Sequence, residues 1–274
     1  MGKPKYSVII PTLNEEKFLP HLLTSLTTQT KKNFEVIVVD GSSKDQTVPL
    51  AKTFAPELPQ LKVIVSKIAS LPLQRNLGAR EARGEWLVFV DADSVLMPYF
   101  MERTAQFIKH EKPLVFTTWF QPDSAVVKDA MYTLLGNLFL EAALLFRRTF
   151  PPGPLACLRH DIFDSVGGYD ELHQYHEDVD LGLRLRKAGI PFSVLRETLY
   201  VWSLRRFRRE GTLKVMQQYV VSILPVIFLR RTFKTMPGYI MGGQVYGQKR
   251  KKVRRSVLKI YERKLKVLVK ELFG

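Results

Sequence analysis

Trp86-Leu87-Val88-Phe89-Val90-Asp91-Ala92-Asp93-Ser94 runs an apolar stretch straight into two carboxylates one residue apart. The run is short, β-rich and bounded by polar residues, the pattern of a fully buried parallel strand. The carboxyl end of such a strand opens at the sheet edge where α/β folds bind their ligands. Side chains at i and i+2 on extended backbone share a face, so Asp91 and Asp93 can converge on one divalent cation while the small Ala92 leaves room for phosphates. The competing reading is a strand end followed by an Asp turn.

The segments upstream repeat the pattern. Tyr6 to Ile10 reads as a strand, Pro11-Thr12-Leu13-Asn14 as a loop, and Glu15 to Thr28 as a helix with Phe18, Leu19, Leu22, Leu23 and Leu26 on one side. Phe34 to Val39 is a second strand ending at Asp40-Gly41-Ser42-Ser43, followed by a helix from Thr47 that Asp45 can cap. Leu61 to Val65 is a third strand, and Gln74 to Ala82 a helix stopped near Gly84. Four strands alternating with helices predict an α/β fold with a mostly parallel central sheet, its carboxyl ends gathering Pro11, Asp40 and Asp91 at one rim. Asp40 there can accept hydrogen bonds from a base or ribose, or cap its own turn; Arg75 can face a diphosphate or solvent.

The second half is less regular. Strands are expected at Leu114 to Trp119 and Pro154 to Leu158, a long apolar helix at Ser124 to Phe146, and a helix at Glu177 to Lys187 closed by Gly189. The long helix either leans on a membrane or belongs to the core. In His176-Glu177-Asp178-Val179-Asp180-Leu181, Leu181 and Leu185 mark the buried face. Asp178, near the amino end, is placed to project into a pocket mouth and take a proton from an acceptor hydroxyl. The acids also suit a helix start for dipole reasons alone. His173 and His176 can supply a metal nitrogen or simply hydrogen-bond.

Charge divides the chain. The net charge is +16, yet residues 1–204 hold 23 basic and 23 acidic residues, and residues 205–274 hold 19 basic and 3 acidic. A neutral body with a polybasic tail separates chemistry from electrostatic docking. The tail contains an apolar run, Tyr219 to Leu229, that is interrupted by Pro225 and short for a membrane span. Further on, Val253, Val257, Tyr261, Leu265, Leu268 and Leu272 recur at helical spacing among lysines and arginines. This predicts an interfacial helix on anionic lipid, the alternative being a solvated helix packed on the body. Few tail aromatics and this amphipathic spacing argue against the tail's other reading, a nucleic-acid-binding arm. A single Cys, Cys157, excludes an internal disulfide and fits a reducing compartment. The amino-terminal residues pass into strand without an apolar leader, so the expected location is the cytoplasmic face of the membrane.

Five stretches, in order, resemble family 2 glycosyltransferases of the GT-A fold: Ser7 to Glu16, Val38 to Thr47, Arg80 to Glu85 running into Asp91-Ala92-Asp93, Gly167 to Glu171, and Glu177 to Leu181. The resemblance covers about residues 5–200. It implies a GT-A catalytic domain over 1–205, and the charge division leaves a basic, amphipathic helical C-terminal region over 206–274. It further implies that Pro11, Leu13, Glu15 and Asp40 hold the nucleotide base and ribose, with Arg75 a further contact. Asp91, Ala92 and Asp93 stand as the family's DXD motif, binding the nucleotide, with the two Asp residues as ligands of a Mg²⁺ or Mn²⁺ on the diphosphate. Asp178 stands as the catalytic base. Such a site transfers a sugar from a UDP- or GDP-linked donor with inversion. The Gln-x-x-Arg-Trp motif of processive members is absent, Trp202-Ser203-Leu204-Arg205-Arg206 occupying its neighbourhood, which favours transfer of a single sugar. A membrane-surface enzyme suggests a lipid-linked or glycan acceptor. A nucleotidylyltransferase on a related sheet is the rival enzyme, but its glycine-rich phosphate loop has no counterpart near Pro11.

Overall fold

β1 (Tyr6–Thr12) is buried from end to end, which requires that both its faces be covered. In the computed structural model, which describes residues 2–218 except 147, 174, 213 and 216, β1 pairs in parallel with β2 (Phe34–Asp40) on one side and β4 (Trp86–Val90) on the other. β3 (Leu61–Val65) lies outside β2 and is half exposed, as an edge strand is. Between the strands come α1 (Leu19–Thr27), with Pro20 in its first turn and four leucines buried; α2 (Thr47–Thr53); and α3 (Leu71–Glu81). Asp45 serves the start of α2, its Oδ1 accepting the Thr47 N–H at 3.0 Å.

After β4 the chain makes the short β5 (Val95–Leu96), α4 (Phe100–Glu111), β6 (Val115–Pro122), α5 (Val127–Leu145), β7 (Leu155–Arg159), α6 (His160–Ser165), α7 (Glu177–Lys187), β8 (Phe192–Trp202) and α8 (Arg205–Glu210). Among the described residues the sheet has eight strands in the order β3-β2-β1-β4-β7-β6-β8-β5. The β3-β2-β1-β4 half is parallel, as expected; β7 runs antiparallel to β4 and to β6, β5 antiparallel to β8, and β6 parallel to β8. The sheet is therefore mixed. β8, α4 and α6 have no counterpart in the sequence reading. Pro11 and Thr12, expected in a loop, extend β1, and α1 begins at Leu19 rather than Glu15.

α3 is seated unusually close. A Cβ on Gly78 would stand 2.4 Å from Ile9 Cγ2, so only glycine lets the helix axis approach β1 this far. The approach brings an inward polar row with it. Gln74 Nε2 donates to the carbonyls of Thr12 (2.8 Å) and Val39 (2.7 Å), tying together the ends of β1 and β2. Asn76 clasps the backbone of Tyr169 through both its amide atoms. Two beds of packing result: one large core around the sheet, and a small one of Leu204, Phe207 and Val215 against Tyr132 and Trp202. The sequence features at 219–229 and 253–272 lie outside the described residues.

Candidate active site

The carboxyl ends of β1, β2 and β4 and the amino end of α7 meet at one edge of the sheet. At the centre is Arg75, 1% exposed. Its Nη2 donates to Asp91 Oδ1 (3.0 Å) and to the Gly153 carbonyl (2.8 Å), its Nη1 donates to Glu177 Oε1 (2.9 Å), and the guanidinium lies 5.1 Å from the centre of the Tyr169 ring. Burial excludes the solvent-facing alternative for this residue. The arginine binds the end of β4 to the start of α7 through two charge-assisted hydrogen bonds.

Gly153 is the hinge between Arg75 and Asp178. Its carbonyl accepts from Arg75 while its N–H donates to Asp178 Oδ2 at 3.1 Å. Asp178 Oδ1 accepts the Val179 N–H at 2.8 Å. The carboxylate is thus oriented by two backbone donors at the positive end of α7 and remains only half buried, as a group that must reach an acceptor needs to be. Gly182 fixes the approach of the 149–153 loop: a Cβ there would meet the Thr149 carbonyl oxygen at 2.4 Å.

Asp93 is held from another direction. Arg205, at the start of α8, places Nε 2.6 Å from Asp93 Oδ2 and grips both Glu15 oxygens, Nη1 at 2.7 Å and Nη2 at 2.6 Å, with its guanidinium 4.5 Å from the Phe18 ring centre. Sequence reasoning placed Arg205 beside an absent motif and assigned it nothing; a lone arginine at the head of a basic run carries no signal of which carboxylate it will reach. Glu177 was likewise quoted only within a motif, and Gly153 only as a turn.

Asp40 sits on the expected rim, paired in register with Thr12, but is fully buried. Its oxygens accept from Thr12 Oγ1 (3.0 Å), the Ser43 N–H (2.7 Å) and Ser43 Oγ. These are the contacts of a residue organising its own turn. Pro11 is buried in β1, Leu13 half exposed beyond it, and Ala92 buried between the two site aspartates.

Five carboxylates, Glu15, Asp91, Asp93, Glu177 and Asp178, face two guanidinium groups, Arg75 and Arg205. The surplus of negative charge shows in the acids themselves. Burial, with Asp91 and Glu15 nearby, pushes Asp93 up to about 7 against the pull of Arg205. Burial and the neighbouring Asp178 push Glu177 up to about 7, and burial raises Asp178 above its ordinary value. An oxygen-rich pocket with uncompensated negative charge fits a hard divalent cation. A second cluster, Asp170, His173 and Asp180, has ligand atoms within 4.8 Å of one another. There Arg184 Nε already stands 2.8 Å from Asp180 Oδ2, and His173 Nδ1 lies 2.9 Å from Asp170 Oδ2, so the group is compensated by its own protein partners. His176 adopts a left-handed backbone (φ 60°), stacks on Tyr175 at 4.1 Å, and is held down to about 4 by burial.

Comparison with known proteins gives this site its context. A PGL/p-HBAD biosynthesis glycosyltransferase of Mycobacterium tuberculosis is 32% identical over 189 residues, covering 67% of this chain and 70% of that one. An uncharacterized glycosyltransferase of Haemophilus influenzae is 29% identical over 185 residues, covering 65% of this chain and 61% of that one. The crystal structure of S. aureus TarS 1-349 in complex with UDP superposes with a TM-score of 0.57 and 27% identity over 80% of this chain and 65% of that one. The chain thus spans less than two thirds of the Haemophilus and TarS chains. Residues 7–167 match the model of glycosyl transferase family 2, and with that match over more than half of its length the chain belongs to this family.

Proposed function

We propose that the protein is an inverting glycosyltransferase that moves a single sugar from a nucleotide-diphosphate-sugar to a hydroxyl or phosphate acceptor carried on a lipid at the membrane surface. The observation that supports this most is the convergence of Asp91, Asp93 and Asp178 on one sheet edge, Asp91 tied to Asp178 through Arg75 and Gly153, and Asp93 held by Arg205. A donor held at the ends of β1 and β4 lies beside a carboxylate whose oxygens are already aimed. Asp178 takes the proton from the acceptor, and a single displacement by that oxygen inverts the anomeric centre. Arg75 keeps the base and the β4 end in fixed relation, which is the orientation such a displacement needs.

Asp91 and Asp93 are the proposed ligands of the divalent cation, Mg²⁺ or Mn²⁺. Bound there, it neutralises the charge that gathers on the leaving diphosphate. Pro11, Leu13, Glu15 and Asp40 are the proposed base and ribose contacts; Asp40 takes that role only by exchanging one of its turn contacts. UDP in the TarS complex supports a uridine donor as the first to try. We assign catalysis to residues 1–205 and membrane attachment to 206–274. Among the described residues no helix is long and apolar enough to cross a membrane; attachment is peripheral in this proposal because the apolar run Tyr219 to Leu229 is short for a span.

A thermal-shift panel of UDP-, GDP- and dTDP-sugars with and without Mn²⁺ tests the donor reading, because a ligand that binds only the native state raises Tm. One donor is expected to raise Tm in a metal-dependent way, and Asp93→Ala is expected to abolish the metal dependence. No shift with any nucleotide sugar would overturn the reading.

A further inference from the structure

α5 has an inward face like any other helix, with Asp129, Thr133, Leu140 and Ala143 buried beneath it. Its outward face is the reverse of what water selects. Val127 (77% exposed), Met131 (58%), Leu134 (58%), Leu138 (54%) and Leu145 (81%) recur at helical spacing along one line, and Phe146 (69%) closes it. From Met131 to Phe146 the sole charged side chain is Glu141. It falls on the same spacing, between Leu138 and Leu145, and is neutralised by Arg196, 2.9 Å from its Oε2, while its Oε1 accepts the Trp119 Nε1–H at 3.1 Å. Apart from this one ion pair the outward line carries no charge over about four turns. Contiguous apolar surface of this kind marks a docking face.

Three observations select the occupant. The first is charge: residues 1–204 sum to zero and the excess of +16 lies in 205–274, so an anionic surface attracts the chain through its tail, while two tails repel each other. The second is where the rest of the chain starts. Phe207 of α8 stacks on Tyr132 of α5 at 5.6 Å, and Arg208 Nη1 lies 3.0 Å from Asp129, so residues 219–274 follow from beside this helix. That segment holds 14 basic and 2 acidic residues, the electrostatic counterpart of anionic headgroups. The third is the link to the site: the carboxyl end of α5 feeds the 149–153 loop, and Gly153 donates to Asp178.

We propose that the outward face of α5 is the docking surface for an anionic bilayer, the helix lying in the interface plane with its apolar line among the acyl chains. The surface is read from exposure alone; what it adds to the proposed function, and borrows from it, is a lipid-borne acceptor. Docking on α5 sets the membrane against the element that leads to Asp178, so a lipid headgroup is delivered to the base side of the site.

Cys157, the only cysteine, is buried, so full-length Leu138→Cys can carry one environment-sensitive fluorophore, with Lys52→Cys on α2 as the remote control. Both are titrated with phosphatidylcholine vesicles, with and without phosphatidylglycerol. The label at 138 is expected to shift to the blue and to be quenched by spin-labelled acyl chains only with phosphatidylglycerol present, while the label at 52 does neither. In unlabelled protein, Leu134→Asp with Leu138→Asp is expected to lower vesicle partitioning by about tenfold or more at unchanged Tm, since an exposed site tolerates the charge and an acyl environment does not. A label at 138 that stays in water on sedimented protein would show docking by the tail alone and overturn the proposal. So would the absence of any vesicle binding. A label already shifted to the blue before vesicles are added would assign the face to the tail or, if concentration-dependent, to a second copy, and overturn it equally. Donor binding measured without vesicles reads the chemistry separately, so failure of the surface and failure of the proposed activity are distinguishable.

Discussion

Arg205 and Asp93 meet at 2.6 Å across the carboxyl edge of the sheet, with the same guanidinium closed on both oxygens of Glu15. A positive group thus stands on the carboxylate to which we assign the cation. The two compete for Asp93. In Arg205→Gln, Mn²⁺ binding to the donor-free protein is expected to tighten by about fivefold, roughly the worth of one partly buried ion pair. Isothermal titration checks this, and unchanged or weaker Mn²⁺ binding would remove Arg205 from the metal's competitors.

Arg75 is the opposite case, a cation with no route to solvent. Removing it leaves the buried Glu177 and the partly exposed Asp91 without the cation they share. Arg75→Met is expected to cost about 3–5 kcal/mol in chemical denaturation, the range for breaking one partner of a buried pair. A loss below about 1 kcal/mol would mean that the carboxylates relax into water.

Much of this was legible in the sequence, and the reason is local. Strands β2 and β4 are largely apolar runs that lead straight into Asp40 and Asp91, so the run and the strand end are read in one step. Asp91 and Asp93 are candidates by such an end and Asp178 by its place at a helix start, and α7 is placed residue for residue. What was illegible depends on approach between distant segments. The closeness of α3 to β1 turns on Gly78 against Ile9, and it converts Arg75 from a surface candidate into the centre of the site. β8 was missed because Phe192 to Trp202 mixes Arg196, Glu197 and Thr198 into its middle, where the register against β6 shifts. The exposure of α5 was ambiguous because an apolar helix looks alike whether protein or something else covers it.

Glu177 and Asp178 are neighbours at the amino end of α7, with Glu177 pushed up to about 7 and Asp178 above its ordinary value, loss of water around the carboxylate being the first cause for both. A general base works only when ionised, so activity is lost as pH falls through the raised range. The acid limb of kcat/KM is expected to fall with an apparent pKa well above that of a free carboxylate. Glu177→Gln removes the like charge and is expected to move the limb to lower pH. A rate that is flat down to pH about 5 would contradict the assignment of this pair.

Gly182 holds the loop that carries Gly153. Gly182→Ala drives a methyl into the Thr149 carbonyl, at an expected cost of about 1–3 kcal/mol in stability. Because the displaced loop carries the Gly153 N–H that orients Asp178, kcat is expected to fall by about tenfold or more while donor binding changes little. Equal losses in kcat and donor affinity would mean that the loop supports the donor rather than the base.

The division of donor binding and proton removal between different carboxylates on one rim underlies the proposed reaction. It is tested most directly by comparing Asp178→Asn with the wild type, using whichever nucleotide sugar raises Tm, for donor affinity by titration and for release of nucleoside diphosphate in the presence of acceptor-bearing membranes. This division predicts affinity within about threefold of wild type and a loss of release of about a hundredfold or more, the usual weight of a positioned general base. Release at the wild-type rate from Asp178→Asn would contradict it and place the base elsewhere.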